Sequence, residues 1–293
     1  MRTALNTIGG LLGVGVHLDS GNRDMRCLAV PWGALRYQHT AALRAALQDR
    51  YAPATANKLL VALRRVLLEA RRLGQISADD YATAIDLKSI PGQRLPKGRA
   101  LDSAEVRALL QECANDSTAA GARDSAIIGL LRGTGLRRAE LAALDLTDYE
   151  LEGGAVTIRS GKGNKDRMVY APSGSRALLA DWLSVRGNAA GPLFYRVSRG
   201  GGLLLTRLAP QAVAIILQRR AEAAGVQPCT PHDLRRTYIS ELLDAGADIA
   251  TVRSLAGHES VDTTARYDRR GEATKRRAVE LVHVPYISRA SAT

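Results

Sequence analysis

PHDLRRT, residues 231–237, and GHESVDTTARY, residues 257–267, are the two stretches on which the reading of this chain turns. Pro231 suits the first position of a helix, where its fixed φ is pre-organised and its missing N–H is not needed. Three residues apart on that helix, His232 and Arg235 share one face. Taken alone, the pair is an ordinary solvated face, His258 is a residue that follows a helix-ending glycine, and Tyr267 is a packing tyrosine with a wet hydroxyl. Upstream lie GTGLRRAEL, 133–141, and GKGNKD, 161–166. In the first, Arg137 and Glu140 stand at helical spacing, which by itself makes a surface ion pair worth roughly a few tenths of a kcal/mol. In the second, Lys162 and Lys165 sit in a turn between two short strand-like runs, where glycine and charge are common.

Together these residues specify one kind of chemistry. Two guanidinium groups can fork onto the non-bridging oxygens of a phosphate, where charge builds in a transition state. Two imidazoles move or share protons near neutral pH. A lysine on a turn can protonate a leaving alkoxide, and a tyrosine becomes a nucleophile once its proton is drawn off. Other chemistries lack their signatures. No Asp/Glu cluster has metal-ligand spacing. Val156 stands where a P-loop needs its first glycine, and Gly163 where it needs Ser or Thr after Lys162. Glu259 follows His258, but Asp262 replaces the second histidine of a zinc-binding helix, and no GxGxxG occurs. The expectation is phosphoryl transfer with no metal and no cofactor.

The surrounding chain predicts a mainly α protein with a small antiparallel β-sheet (α+β). Its 293 residues allow two ordinary domains. Residues 3–13, 32–50, 53–73 and 78–86 read as helices. In the third of these, Leu59, Leu60, Leu63, Val66, Leu67 and Ala70 recur at three- and four-residue spacing. Arg64, Arg65, Arg71 and Arg72 decorate that helix and give the helical unit 1–88 a basic surface. SIPGQRLPKGR, 89–99, is read as an exposed interdomain linker. Asp102 and Glu105 then form a capping-box pattern that opens a second unit, 100–293. Helices are expected at 119–132, ended by Gly133 and Gly135, and at 136–144, 173–185, 209–224, 231–244, 249–256, 260–269 and 272–282. Strands are expected at 156–159 and 167–170, with a terminal one at 282–286.

Composition agrees with a polyanionic partner. Net charge is +12. It is spread along the chain: residues 1–98 hold 14 Lys/Arg against 7 Asp/Glu, and the remainder 27 against 22. Basic residues release counterions on meeting phosphates, so nucleic acid is the expected partner. Three scattered cysteines match neither a disulfide framework nor a zinc site. No apolar run is long enough for a membrane span, and residues 1–21 lack a signal-peptide core, so a cytoplasmic protein is expected.

In the order Arg, Lys, His-x-x-Arg, His, Tyr, the set resembles the tyrosine recombinase family of phage integrases and Xer-like proteins. TGLRRAEL is similar to the family's first arginine motif and GKGNKDR to its lysine hairpin. HDLRRT matches its His-x-x-Arg box, and LAGHESVDTTARY the segment from the last histidine to the nucleophile. Residues from about 99 to 286 resemble the catalytic domain, and 1–88 is similar in size and place to the core-binding domain. The resemblance implies a site-specific DNA recombinase (an integrase), and leaves open whether it serves a mobile element, the reading we favour, or resolves chromosome dimers. Tyr267 would attack the scissile phosphate, and Arg137 and Arg235 would stabilise the developing charge. Lys162 would protonate the leaving oxygen, His232 would take the tyrosine proton, and His258 would bind the phosphate. Glu140 would support Arg137 from behind. Arg64, Arg65, Arg71, Arg72 and Lys165 would contact the DNA.

The resemblance further implies a homo-tetramer on two paired double-stranded sites, a Holliday-junction intermediate, and a segment after the nucleophile, 272–286, that docks on a neighbouring protomer. The chain has no spare stretch for an arm-binding domain, which favours a simple site or help from accessory DNA-bending proteins. Two rivals share much of this chemistry or fold: a type IB topoisomerase, in which His232 would be out of place, and a catalytically idle DNA-binding protein. An RNA-binding protein is a third, though aromatics for stacking are few at 4%.

Overall fold

Helix α4, Pro53–Arg72, shows how the first unit is built. Its stripe of Ala56, Leu59, Leu60, Leu63, Leu67 and Ala70 faces inward and is almost wholly buried. Each fully buried leucine contributes about 1.5–3 kcal/mol relative to exposure. The computed structural model describes residues 1–16, 18–19, 24–92, 98–159, 166–265 and 267, with 279–280, 282–283 and 285 beyond. The chain divides into two compact units, Met1–Pro96 and Lys97–Thr293.

In the first unit α1 (Arg2–Leu11), α2 (Arg26–Ala29), α3 (Tyr37–Arg50) and α5 (Ala78–Ile85) accompany α4. Ile8, Leu47, Leu60, Leu63 and Leu67 form its centre. The single helix expected over 32–50 is a 3-10 turn at Trp32–Ala34 followed by α3. Leu35 and Arg36 between them are extended, and the Arg36 N–H donates to His39 Nδ1 at 3.0 Å. The short α2 was not expected. Buried Asn6 secures it by accepting from the Cys27 N–H at 2.9 Å and donating to the Asp24 carbonyl. The segment 89–99 is not simply exposed. Ile90 is buried in the first unit's core and exchanges two hydrogen bonds with the Asn57 side chain, at 2.9 and 3.0 Å. At the other end Arg99 donates its N–H to Asp233 at 3.0 Å, within the second unit. Residues 93–97 lie outside the described residues.

The second unit is mostly helical with two small hairpins. Asp102 and Glu105 cap α6 (Ser103–Asn115) reciprocally, as the capping-box pattern predicts. Helix α7 (Ala119–Thr134) is buried nearly all round, Arg123 and Asp124 included, and runs through the middle, beside α9 (Ser173–Arg186) and α11 (Pro231–Asp244). Leu109, Ile127, Leu130, Leu131, Trp182 and Phe194 anchor this core. Gly135, at φ 63°, ends α7 in the left-handed conformation that glycine adopts cheaply. Helix α8 (Arg138–Ala143) is shorter than the expected 136–144, because Arg137 is extended and serves as its N-cap.

Strands β1 (Ala155–Ile158) and β2 (Arg167–Tyr170) pair antiparallel with Ile158 opposite Arg167. A second hairpin, β3 (Tyr195–Val197) with β4 (Leu203–Arg207), was not expected. Helices α10 (Pro210–Ala223), α12 (Ile249–Ala256) and α13 (Val261–Ala265) complete the unit. The expected helix at 272–282 falls largely outside the described residues, and of the expected strand at 282–286 the described residues 282, 283 and 285 are not in a strand. Among the described residues no helix is long and apolar enough to cross a membrane.

Candidate active site

The last turn of α12 organises the site. A helix leaves its final carbonyls without intrahelical partners, and its C-terminus carries partial negative charge. Here three successive carbonyls each accept from a different arginine. Leu255 O accepts from Arg167 Nε at 3.3 Å, Ala256 O from Arg235 Nη2 at 2.6 Å, and Gly257 O from Arg137 Nη2 at 2.8 Å. Arg235 also donates to Gly135 O at 2.6 Å, joining the end of α7 to the end of α12. The two arginines singled out in the sequence are thus brought together by one helix terminus.

Glu140 completes the cluster. Its carboxylate is 9% exposed and accepts four hydrogen bonds. Arg137 supplies its guanidinium at 2.6 Å and its backbone N–H at 2.8 Å, and Arg167 a bidentate fork at 2.9 and 2.8 Å. Burial pushes the Glu140 carboxyl up, but the Arg167 fork, the Arg137 N–H and the remaining Arg137 bond outweigh it and hold the pKa down at about 2. Burial also lowers Arg235, to about 10, and the neighbouring Arg137 cation adds to this. Three guanidinium groups facing a single carboxylate leave a surplus of positive charge, the field that draws in a polyanion.

His232 and His258 stand at this cationic cluster with Tyr267 between them. His232 is on the first turn of α11, and its Nε2 lies 3.4 Å from the Tyr267 hydroxyl. Burial lowers its pKa below the usual histidine value, and Arg235 and Arg236 lower it further. His258 follows Gly257 directly and stacks on Tyr267 with ring centroids 6.0 Å apart. Its Nδ1 lies 2.9 Å from the buried Thr264 hydroxyl. Burial first, then Arg235 and Arg137, push its pKa down to about 4. Tyr267 itself is half-buried against the small core of Tyr238, Ile239, Leu243, Val252 and Ala256.

Arg137, Glu140, His232, Arg235, His258 and Tyr267 therefore share one locality. Lys162 and Lys165 lie outside the described residues, between β1 and β2 in the sequence. The arginines of α4 divide. Arg65 and Arg72 are exposed and both pair with Glu69 at 3.1 Å, while Arg71 lies 5.2 Å from the Tyr81 ring. Arg64 is half-buried and donates to the Leu87 carbonyl.

Three residues of the site were not singled out from the sequence. Arg167 was read only as the start of a strand, although it ends the GKGNKDR run. Arg236, beside Arg235 in HDLRRT, places its guanidinium carbon 5.3 Å from the centre of the Tyr267 ring. Thr264 looked like an ordinary helix residue, and no local pattern ties it to His258.

Comparison with known proteins identifies the family of the chain. Residues 99–273 match the model of the phage integrase family. The chain is 36% identical over 201 residues to tyrosine recombinase XerC of Corynebacterium glutamicum, covering 68% of this chain and 62% of that protein. It is 35% identical over 227 residues to tyrosine recombinase XerD of Mycobacterium leprae, covering 71% and 69%. The chain thus spans less than two thirds of the first relative's length and slightly more of the second's. Among solved structures, the XerH site-specific recombinase in a post-cleavage complex with a palindromic difH substrate superposes with a TM-score of 0.64 at 22% identity, covering 94% of this chain and 75% of that one. A lambda integrase dimer bound to a core site gives 0.62 at 16% identity, covering 99% of each. These structural likenesses concern the fold, and the family rests on the sequence matches: the chain belongs to the phage integrase family.

Proposed function

We propose that this chain is a site-specific DNA recombinase that cuts one strand with the Tyr267 hydroxyl, leaving a 3′-phosphotyrosyl bond and a free 5′-hydroxyl. The observation that carries the proposal is the 3.4 Å separation of the Tyr267 oxygen from His232 Nε2, beside Arg235 on the same helix. A histidine kept neutral by burial and neighbouring cations is an acceptor, so His232 takes the phenolic proton as the oxygen attacks phosphorus. Arg235 and Arg137 each commit part of their five N–H donors to carbonyls or Glu140, and the rest are free to meet the non-bridging oxygens. We assign the Thr264 hydroxyl as the donor to Nδ1 in their 2.9 Å contact, so that the neutral His258 ring carries its proton on Nε2 and donates it to the phosphate. Lys162, between β1 and β2 in the sequence, protonates the departing 5′-oxygen.

The phosphotyrosyl bond conserves the energy of the phosphodiester, and a 5′-hydroxyl from a partner strand recovers it. The scheme has no step for a metal ion or ATP. Reciprocal exchange calls for four protomers on two paired duplexes and a Holliday junction, with accessory DNA-bending proteins where the site demands them. The basic helical unit 1–88 binds the duplex and 100–293 performs the chemistry, with 89–99 joining them.

The test is a covalent adduct. The protein is incubated in EDTA with nicked duplexes of random or native flanking sequence, and protein–DNA adducts are recovered and sequenced. Wild type should form an adduct at defined positions, and Tyr267→Phe should form none. Gel-shifted DNA with no adduct would identify an idle binder. Relaxation of any supercoiled plasmid without a paired site would identify a topoisomerase-like enzyme.

A further inference from the structure

Beside the two arginines assigned to the phosphate stands a third whose three guanidinium nitrogens each donate to protein. Arg167 is 13% exposed on its side chain. Nη1 and Nη2 fork onto the two Glu140 oxygens at 2.9 and 2.8 Å, and Nε donates to Leu255 O at 3.3 Å. A Cβ on Gly257 would fall within 2.8 Å of this guanidinium, so the chain passes directly against it.

We propose, resting on the recombinase reading above, that Arg167 is a positioning residue that sets Arg137 and Arg235 for the scissile phosphate through Glu140 and the end of α12. Two routes lead out from it. Through Glu140 it fixes Arg137, which is bound to the same carboxylate at both its guanidinium and its backbone N–H. Through Leu255 O it fixes the turn whose next two carbonyls hold Arg235 and Arg137. The turn continues directly into His258. A planar fork is needed to span both Glu140 oxygens and still reach Leu255 O, and a lysine ammonium has no such geometry. Arg167 balances charge as well. Without it, buried Glu140 keeps Arg137 alone as counter-ion, and Arg137 is drawn more tightly onto the carboxylate and away from substrate.

The probe is the duplex recovered as adduct in the EDTA assay, made as a nicked substrate. Single-turnover cleavage, duplex affinity by gel shift and thermal unfolding are measured for wild type, Arg167→Lys, Arg167→Met, Glu140→Gln and the Arg167→Met/Glu140→Gln pair. Arg167→Lys keeps the charge and carries the test if Arg167→Met does not fold. Cleavage by Arg167→Lys should fall by about 10- to 100-fold, the scale expected for small misplacement of a reacting group. Duplex affinity should stay within about threefold, because the loss belongs to the transition state. The double variant should cleave no more slowly than the slower single, since both changes act on one route. Full cleavage by Arg167→Lys, or losses that multiply in the double variant, would overturn the positioning role while leaving the recombinase reading intact. A wild type with no Tyr267-dependent adduct would defeat both.

Discussion

The two histidines differ from solvent-exposed ones in a way that fixes the sign of a pH effect. Both have pKa values below 6.5, to about 4 for His258, because burial and the surrounding arginines disfavour a further cation. Well above pH 6.5 these rings are neutral whether the protein is folded or not, and they contribute nothing to the pH dependence there. As pH falls below 6.5, the unfolded chain takes up protons at these positions before the native state does. Native stability therefore declines through the window from 6.5 towards 4, and levels off only below the folded pKa. Urea unfolding of wild type and His258→Gln at pH 7.5 and 5.0 checks this. The loss of stability between the two should be smaller in the variant, and equal losses would show that His258 titrates normally. In the proposed mechanism the same depression would keep His232 able to accept the Tyr267 proton below the pH at which a free histidine would be half charged.

At the scale of elements, the site depends on how α12 stops. Gly257 sits at φ 64° as the left-handed C-cap, and a Cβ there would meet Arg167 Cζ and Nη1 at 2.8 Å. Gly257→Ala should therefore cost about 1–3 kcal/mol, from the left-handed backbone and from displacing a buried guanidinium. A urea denaturation curve reads this as a lower midpoint. Cleavage should drop as well, because three arginines hang on the carbonyls of that turn. The sequence showed the glycine and the motifs that flank it, but not the convergence. His232 and Arg235 were legible because a proline-led helix puts them one turn apart, and α11 and α12 have the bounds that periodicity predicts. Arg167 was not legible. Its importance lies in a carboxylate 27 residues away and a carbonyl 88 residues away, and no local pattern encodes such pairs. The β3–β4 hairpin was missed for a related reason: strands of three and five residues carry too little alternation to stand out beside helices.

At the scale of the whole molecule, charge makes a prediction that separates binding from folding. The +12 excess is spread over both units, so DNA affinity should fall steeply with salt, with a log–log slope of about 0.9 per phosphate neutralised. On α4 the arginines should not contribute alike. Arg65 and Arg72 share Glu69 through pairs whose partners are all more than 40% exposed, and such pairs are worth less than about 1 kcal/mol. Arg65 and Arg72 can therefore leave Glu69 for phosphate, and Arg71 can leave the Tyr81 ring. Replacing Arg65, Arg71 and Arg72 together by alanine should lower the salt slope by about 3 and change the melting temperature little. Arg64 should behave in the opposite way. It is half-buried and ties α4 to the Leu87 carbonyl at the end of the first unit, so Arg64→Ala should lower the melting temperature and leave the slope unchanged. Titrations at several salt concentrations, set beside thermal melts of the same variants, distinguish the two classes. A triple variant whose slope matches wild type would remove this helix from the DNA contact and leave the binding to other basic residues.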